Sequence, residues 1–153
     1  MTTILPHDAV AQDRKSSLKA AYIYYFTKFV YWPTESSTRR VCALGSSQDI
    51  SDALDKVAQK SAGNIEVEFL EQTPDLDTSK CDIVFISNNL AKGQQVNQGT
   101  LLVVDEDIQH PEAAVKLVVV NNKLAFVINR TNAKSKNIEI SAKLLGLARE
   151  VQE

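Results

Sequence analysis

The side chains able to do chemistry are few in this chain. Asp105, Glu106 and Asp107, followed by His110, form a run whose residue types could hold a divalent cation, because carboxylates two apart with a nearby imidazole supply suitable donors. The run fits a solvated acidic loop better, and no metal or cofactor is expected. His110 would also have to serve any Ser-His-Asp triad, since the other histidine, His7, lies near the start of the chain. No G-x-S-x-G elbow accompanies it. Phosphate-cradling glycine motifs are missing, and the chain has five glycines in all. The stretch LGSSQD follows an apolar run and precedes a helical pattern, the place where doubly wound sheets receive phosphate. Gly45 and Ser46 there, with Ser87 after another apolar run, mark a possible small-ligand cleft, set against the plainer reading of an ordinary strand-to-helix turn. Cys42 and Cys81 lack metal spacing. A reactive thiolate needs an exposed, electropositive setting, whereas Cys42 sits inside an apolar run. The chemistry argues against an enzyme.

The elements that position these residues follow from pattern. VCALG at 41–45 reads as a short buried strand, and Ser46 or Ser47 caps a helix with Ile50, Leu54 and Val57 on one side. IEVEFL at 65–70 alternates as a half-solvated strand, EQTPDLDTSK is a loop, and DIVFIS at 82–87 is another buried strand. NNLAKGQQVNQG is polar, with a helical turn or two. TLLVV at 100–104 is a further strand, and DEDIQHPEAA an acidic loop or short helix. KLVVV and KLAFVIN flank Asn121-Asn122, a hairpin signal because Asn tolerates positive φ in a tight turn. A polar turn follows Asn129, then IEIS, then a last helix through Leu144, Leu145, Leu147 and Val151. Alternating strands and helices predict an α/β fold: a three-layer α/β/α sandwich on a mixed, mostly parallel sheet, with an antiparallel hairpin near the C-terminus.

In such a sheet the strands led by Cys42 and Cys81 are neighbours about 4.8 Å apart, close enough for a disulfide. Geometry leaves that bridge and two buried thiols both open.

The chain of 153 residues, 44% apolar and 24% charged, fits one domain with one core. Its net charge of −2 offers no basic excess for nucleic acid. No run approaches the roughly 18 apolar residues of a membrane span. The first residues lack the basic and apolar regions of a signal peptide, though Ala9-Val10-Ala11 resembles the end of a cleavage site. Residues 1–16 are expected to be a loose leader and 17–153 a single domain.

Seven of the ten aromatic residues lie between Tyr22 and Trp32. Leu18, Tyr22, Tyr25, Phe29 and Trp32 form one stripe at helical spacing, and Ile23, Phe26 and Val30 a second. Pro33 stops the helix. The segment reads mainly as core, with Tyr22, Tyr25, Phe26 and Phe29 inside. Tyr24, Tyr31 and Trp32 are candidate partner or dimer contacts, because Tyr and Trp bury much area at little entropic cost. Ile138 and Ile140 alternate with Glu139 and Ser141 and are set between core and partner contact.

Several motifs together resemble the YfiR-like family of small bacterial periplasmic proteins: KAAYIYYFTKFVYWP at 19–33, VCALG at 41–45, CDIVFIS at 81–87, TLLVVDE at 100–106, LAFVIN at 124–129 and ISAKLLGLA at 140–148. The resemblance covers nearly everything from residue 17 onward. The charge and hydropathy above already lead us to expect no nucleic acid partner and no direct membrane insertion. The resemblance implies an export signal preceding a mature periplasmic domain, an α/β sandwich and, as is frequent in the family, a homodimer. It implies a negative regulator that binds the periplasmic domain of a membrane-bound diguanylate cyclase, YfiN in the named case, and so lowers cyclic-di-GMP signalling and biofilm formation. The alternative is a small-ligand sensory domain acting on another membrane signalling partner. Cys42 and Cys81 match family cysteine positions, so the resemblance favours their disulfide. The chain departs from the family in having Asp82 where a His is frequent, in PEAAVKLV where a Gly-Gly is frequent, and in carrying no second cysteine pair.

Overall fold

The structure, a computed structural model, describes residues 7–71, 77–91 and 93–153. It opens with α1 (His7–Phe29), which runs into a two-residue strand β1 (Val30–Tyr31). Then come β2 (Arg39–Leu44), α2 (Gln48–Lys60), β3 (Ile65–Leu70), β4 (Ile83–Ile86), a 3-10 turn (Asn89–Ala91) and β5 (Leu101–Val104). The hairpin is β6 (Val115–Val120) and β7 (Lys123–Asn129), followed by α3 (Arg130–Ser135), β8 (Glu139–Ile140), α4 (Ala142–Leu147) and β9 (Glu150–Gln152).

The main sheet has the order β3-β2-β4-β5-β6-β7-β9. The first five strands of that order are mutually parallel, β7 returns antiparallel to β6, and β9 runs parallel to β7. Asn121 and Asn122 carry φ of 52° and 61°, so the hairpin turns where Asn can enter the left-handed region. Ser47 is the cap of α2, its hydroxyl accepting from the Ile50 N–H.

One sheet face carries Val41, Ala43, Ile83, Phe85, Leu101, Val103, Val115, Leu117, Phe126 and Ile128. Against it pack Ala20, Ile23 and Phe26 of α1, Ile50 and Leu54 of α2, and Leu144 of α4. Burial of a side chain the size of Phe26 or Ile23 stabilises by roughly 1.5–3 kcal/mol. The opposite face carries Cys42, Leu44, Val84, Ile86, Leu102 and Val104. It is covered by Ala91, Val96 and Ile108, hence by the 3-10 turn and by loops rather than by long helices. Residues 87–100 are too polar to offer an amphipathic helix, so the third layer of the sandwich is thin. The Cys42–Cys81 disulfide lies in this layer, Cα atoms 5.8 Å apart, and ties β2 to the entry of β4.

Four expectations need correction. The first helix begins at His7, so Ser16 and Ser17, expected to cap it, lie inside it. Ala, Gln, Arg and Lys prolong a helix once its later turns are packed. Tyr25, expected in the core, is 46% exposed, and Leu18 of the same stripe 49%. The sheet takes the Ile23, Phe26, Val30 stripe, and Tyr25 instead stacks on Phe29, centroids 6.1 Å apart. The turn expected after Asn129 is a helix, α3, capped by the Asn129 side chain, which accepts from the Asn132 N–H. The last helix stops at Leu147, and Val151 lies in β9, where the Arg149 N–H donates to the Phe126 carbonyl at the start of the pairing. The expected loop at 71–80 falls in part outside the described residues.

Candidate functional site

The two aromatic-rich and isoleucine-rich segments, more than a hundred residues apart, meet in a small second sheet. β1 pairs antiparallel with β8, Val30 opposite Ile140 and Tyr31 opposite Glu139. The Ser141 N–H donates to the Phe29 carbonyl and extends the same ladder. The pairing seats Tyr31, Trp32 and Pro33 beside Arg130, Ala133, Lys134 and 137–140, around a cleft of about 700 Å³.

Within that cleft the side chains divide by depth. Trp32 is buried, its Nε1–H donates to the Asp82 carbonyl at 3.0 Å, and the Arg39 guanidinium lies over its ring at 4.6 Å. Asp82 holds this corner: its carboxylate accepts from the Arg39 side chain at 3.3 Å and from the Arg40 N–H at 2.9 Å. Ile138 and Ile140 are 2% and 7% exposed and form the floor. Tyr31 is 62% exposed and forms the rim. Tyr24 is half-buried on α1, packed against the main core with Lys28 over its ring, and does not line the cleft. Of the candidate contacts, the structure therefore brings together Tyr31, Trp32, Ile138 and Ile140. Arg130 and Lys134 on the same walls escaped the sequence reading; a polar stretch begun by a capping Asn was the available signal.

The acidic run occupies the opposite end of α1. Lys19 Nζ lies 2.7 Å from Asp105 and 2.8 Å from Glu106, and Lys15 lies 3.1 Å from Glu106. The Lys19 and Asp105 side chains are 9% and 8% exposed. Burial works against the Lys19 charge, but hydrogen bonds to Asp105 and Glu106 outweigh it and raise the ammonium above its ordinary value. Burial likewise pushes the Glu106 carboxyl up, and hydrogen bonds from Lys19 and Lys15 outweigh it and hold the group below the usual range. His110 is engaged separately: Nδ1 accepts from the Glu112 N–H, so Nε2–H donates to the Gln94 carbonyl at 2.7 Å. The run thus pins α1 to the end of β5. Among the described residues no three His, Cys, Asp or Glu side chains gather as metal ligands.

The possible ligand cleft at Gly45, Ser46 and Ser87 sits at the carboxyl ends of β2 and β4. Asn88 crowds it, because a Cβ built on Gly45 would fall 2.3 Å from the Asn88 Cβ. Ser87 donates within the turn to the Leu44 carbonyl, while the Ser46 hydroxyl is buried with no hydrogen-bond partner among the described residues. No helix among the described residues is long and apolar enough to cross a membrane.

No curated protein matches the chain. Residues 16–149 match the YfiR/HmsC-like family, and the chain belongs to it. That family consists of periplasmic regulators, rather than catalysts, in diguanylate cyclase signalling.

Proposed function

We infer that this chain represses a membrane-bound diguanylate cyclase by binding the enzyme's periplasmic domain through the cleft between β1 and β8. The observation that carries the reading is the β1–β8 pairing, which gathers Tyr31, Trp32, Ile138 and Ile140 around one recess. A buried floor with an exposed aromatic rim is the form of a contact whose energy concentrates in a few anchors. Tyr31 is the side chain free to change environment on docking; Trp32 and the isoleucines hold its platform.

The test is binding of the purified, oxidised chain to the periplasmic domain of the candidate cyclase, by calorimetry. Tyr31→Ala should leave the melting temperature unchanged and weaken binding at least about tenfold, since an aromatic anchor contributes 2 kcal/mol or more. Equal binding by the variant, or no binding of the wild-type chain at micromolar protein, refutes the assignment. Ile140→Asp is the poorer probe, because a buried carboxylate there would damage the fold itself.

A further inference from the structure

The walls of the β1–β8 cleft carry opposite character. Trp32, Ala133, Ile138 and Ile140 give an apolar base, while α3 places Arg130 and Lys134 four residues apart. That spacing sets two cations on one helix face. Lys134 makes no ion pair among the described residues. Arg130 is occupied by Glu153, 3.0 Å away, and both side chains are well exposed. Such a surface pair contributes little, so an incoming carboxylate can replace Glu153 at small cost. Glu139 is the acidic residue of the lining, so once Glu153 is displaced the wall carries one more cation than anion, set against an apolar base.

We propose that the cleft receives an acidic, apolar-anchored peptide segment of the protein partner, with carboxylates on Arg130 and Lys134 and a neighbouring apolar side chain on the Trp32–Ile138 base beneath Tyr31. The proposal rests on the docking reading above and gives that site its ligand chemistry. Glu153 is the chain's own occupant of the first cation position, a weak competitor that the partner displaces. Guanidinium favours a carboxylate through paired N–H donors, which fixes the segment's register as well as its charge.

The test is an NMR titration of the isotope-labelled chain with two hexapeptides, Glu-Glu-Trp-Leu-Glu-Glu and Gln-Gln-Trp-Leu-Gln-Gln, both blocked at their ends. The acidic peptide should bind at least tenfold more tightly and shift the amides of Tyr31, Arg130 and Lys134. Lys134→Glu should remove that preference, Glu153→Gln should strengthen binding, and raising salt from about 0.05 to 0.5 M should weaken it. Equal binding of the two peptides, shifts elsewhere only, or competition by inorganic phosphate alone overturns the proposal. The cyclase domain separates the two claims. Binding that depends on Tyr31 but ignores Lys134→Glu defeats the acidic segment alone. Acid-selective peptide binding without cyclase binding defeats the docking partner alone.

Discussion

Replacing Lys19 by Met should expose how α1 is fastened to the sheet. Met keeps most of the lysine stem, so chiefly the charge is lost. The ammonium now sits between Asp105 at 2.7 Å and Glu106 at 2.8 Å, with both Lys19 and Asp105 almost excluded from water. Without it two carboxylates face each other, and among the described residues the half-exposed Lys15 is the cation still paired there. Breaking a buried pair by removing one partner costs about 3–5 kcal/mol. Glu106 retains Lys15 and some water, so the lower figure applies, and a loss of about 3 kcal/mol lowers the melting temperature of a domain this size by roughly 6–12 °C. The pH dependence carries the sign. In the wild type the folded Glu106 carboxyl is held below its unfolded value, so its stabilisation is present above the unfolded pKa and lost as pH falls through the folded one. Lys19, raised on folding, contributes fully below its unfolded pKa and loses that contribution as pH rises through the folded value. In Lys19→Met the repulsion is relieved as Glu106 takes up its proton, so the gap between variant and wild type should shrink on acidification. Thermal melts at pH 7 and pH 4 read both quantities. A gap below about 1 kcal/mol at pH 7, the size of a surface pair, or one independent of pH refutes the buried-latch reasoning.

Two further perturbations test the thin layer and the strand-end turn. Replacing both Cys42 and Cys81 by Ala should cost about 4 kcal/mol in urea denaturation, the chain-entropy value for a closed loop of 39 residues. Because both cysteines are buried, dithiothreitol should cleave the bridge far faster in denaturant than in the native state, as read by thiol titration. Gly45→Ala should destabilise by at least about 2 kcal/mol, since φ is +70° and the new methyl would meet the Asn88 Cβ at 2.3 Å; an unchanged melting temperature would mean that the turn yields easily and that a ligand could open it.

Most of the main sheet was legible because its strands are short apolar runs bounded by turn chemistry. Buried parallel strands must read that way when both faces are covered. Val41–Leu44, Ile83–Ile86 and Leu101–Val104 are such runs, and the Asn pair and Ser47 mark a hairpin and a helix start by local hydrogen bonding that needs no tertiary knowledge. Local signals failed where tertiary contacts decide. Nothing in LKAAYIYYF ranks the Ile23–Phe26 stripe above the Leu18–Tyr25 one, since both are apolar at helical spacing. Tertiary contacts make the choice: in the observed rotation of α1 the Lys19 ammonium reaches Asp105 and Glu106 while Ile23 and Phe26 face the sheet.

The candidate site was hidden for a related reason. Each half of the β1–β8 pair contributes two residues, too few to register as a strand in any window, and the halves lie at opposite ends of the chain. Two-residue strands gain little from their own ladder bonds. They hold because α1 is already fixed at one end by the ion pairs and at the other by Trp32, whose N–H reaches Asp82 and whose ring supports Arg39. Asp82 thereby becomes the support of the cleft: its carboxylate orients Arg39 and its carbonyl anchors Trp32. The aromatic segment accordingly does two jobs along its length. Its first half packs a helix onto the sheet, and its last three residues leave the helix to build a platform. Because α1 joins the Lys19 ion pairs to that platform, Lys19→Met should also weaken binding of the cyclase domain by calorimetry, although Lys19 does not line the cleft; unchanged binding would refute the coupling.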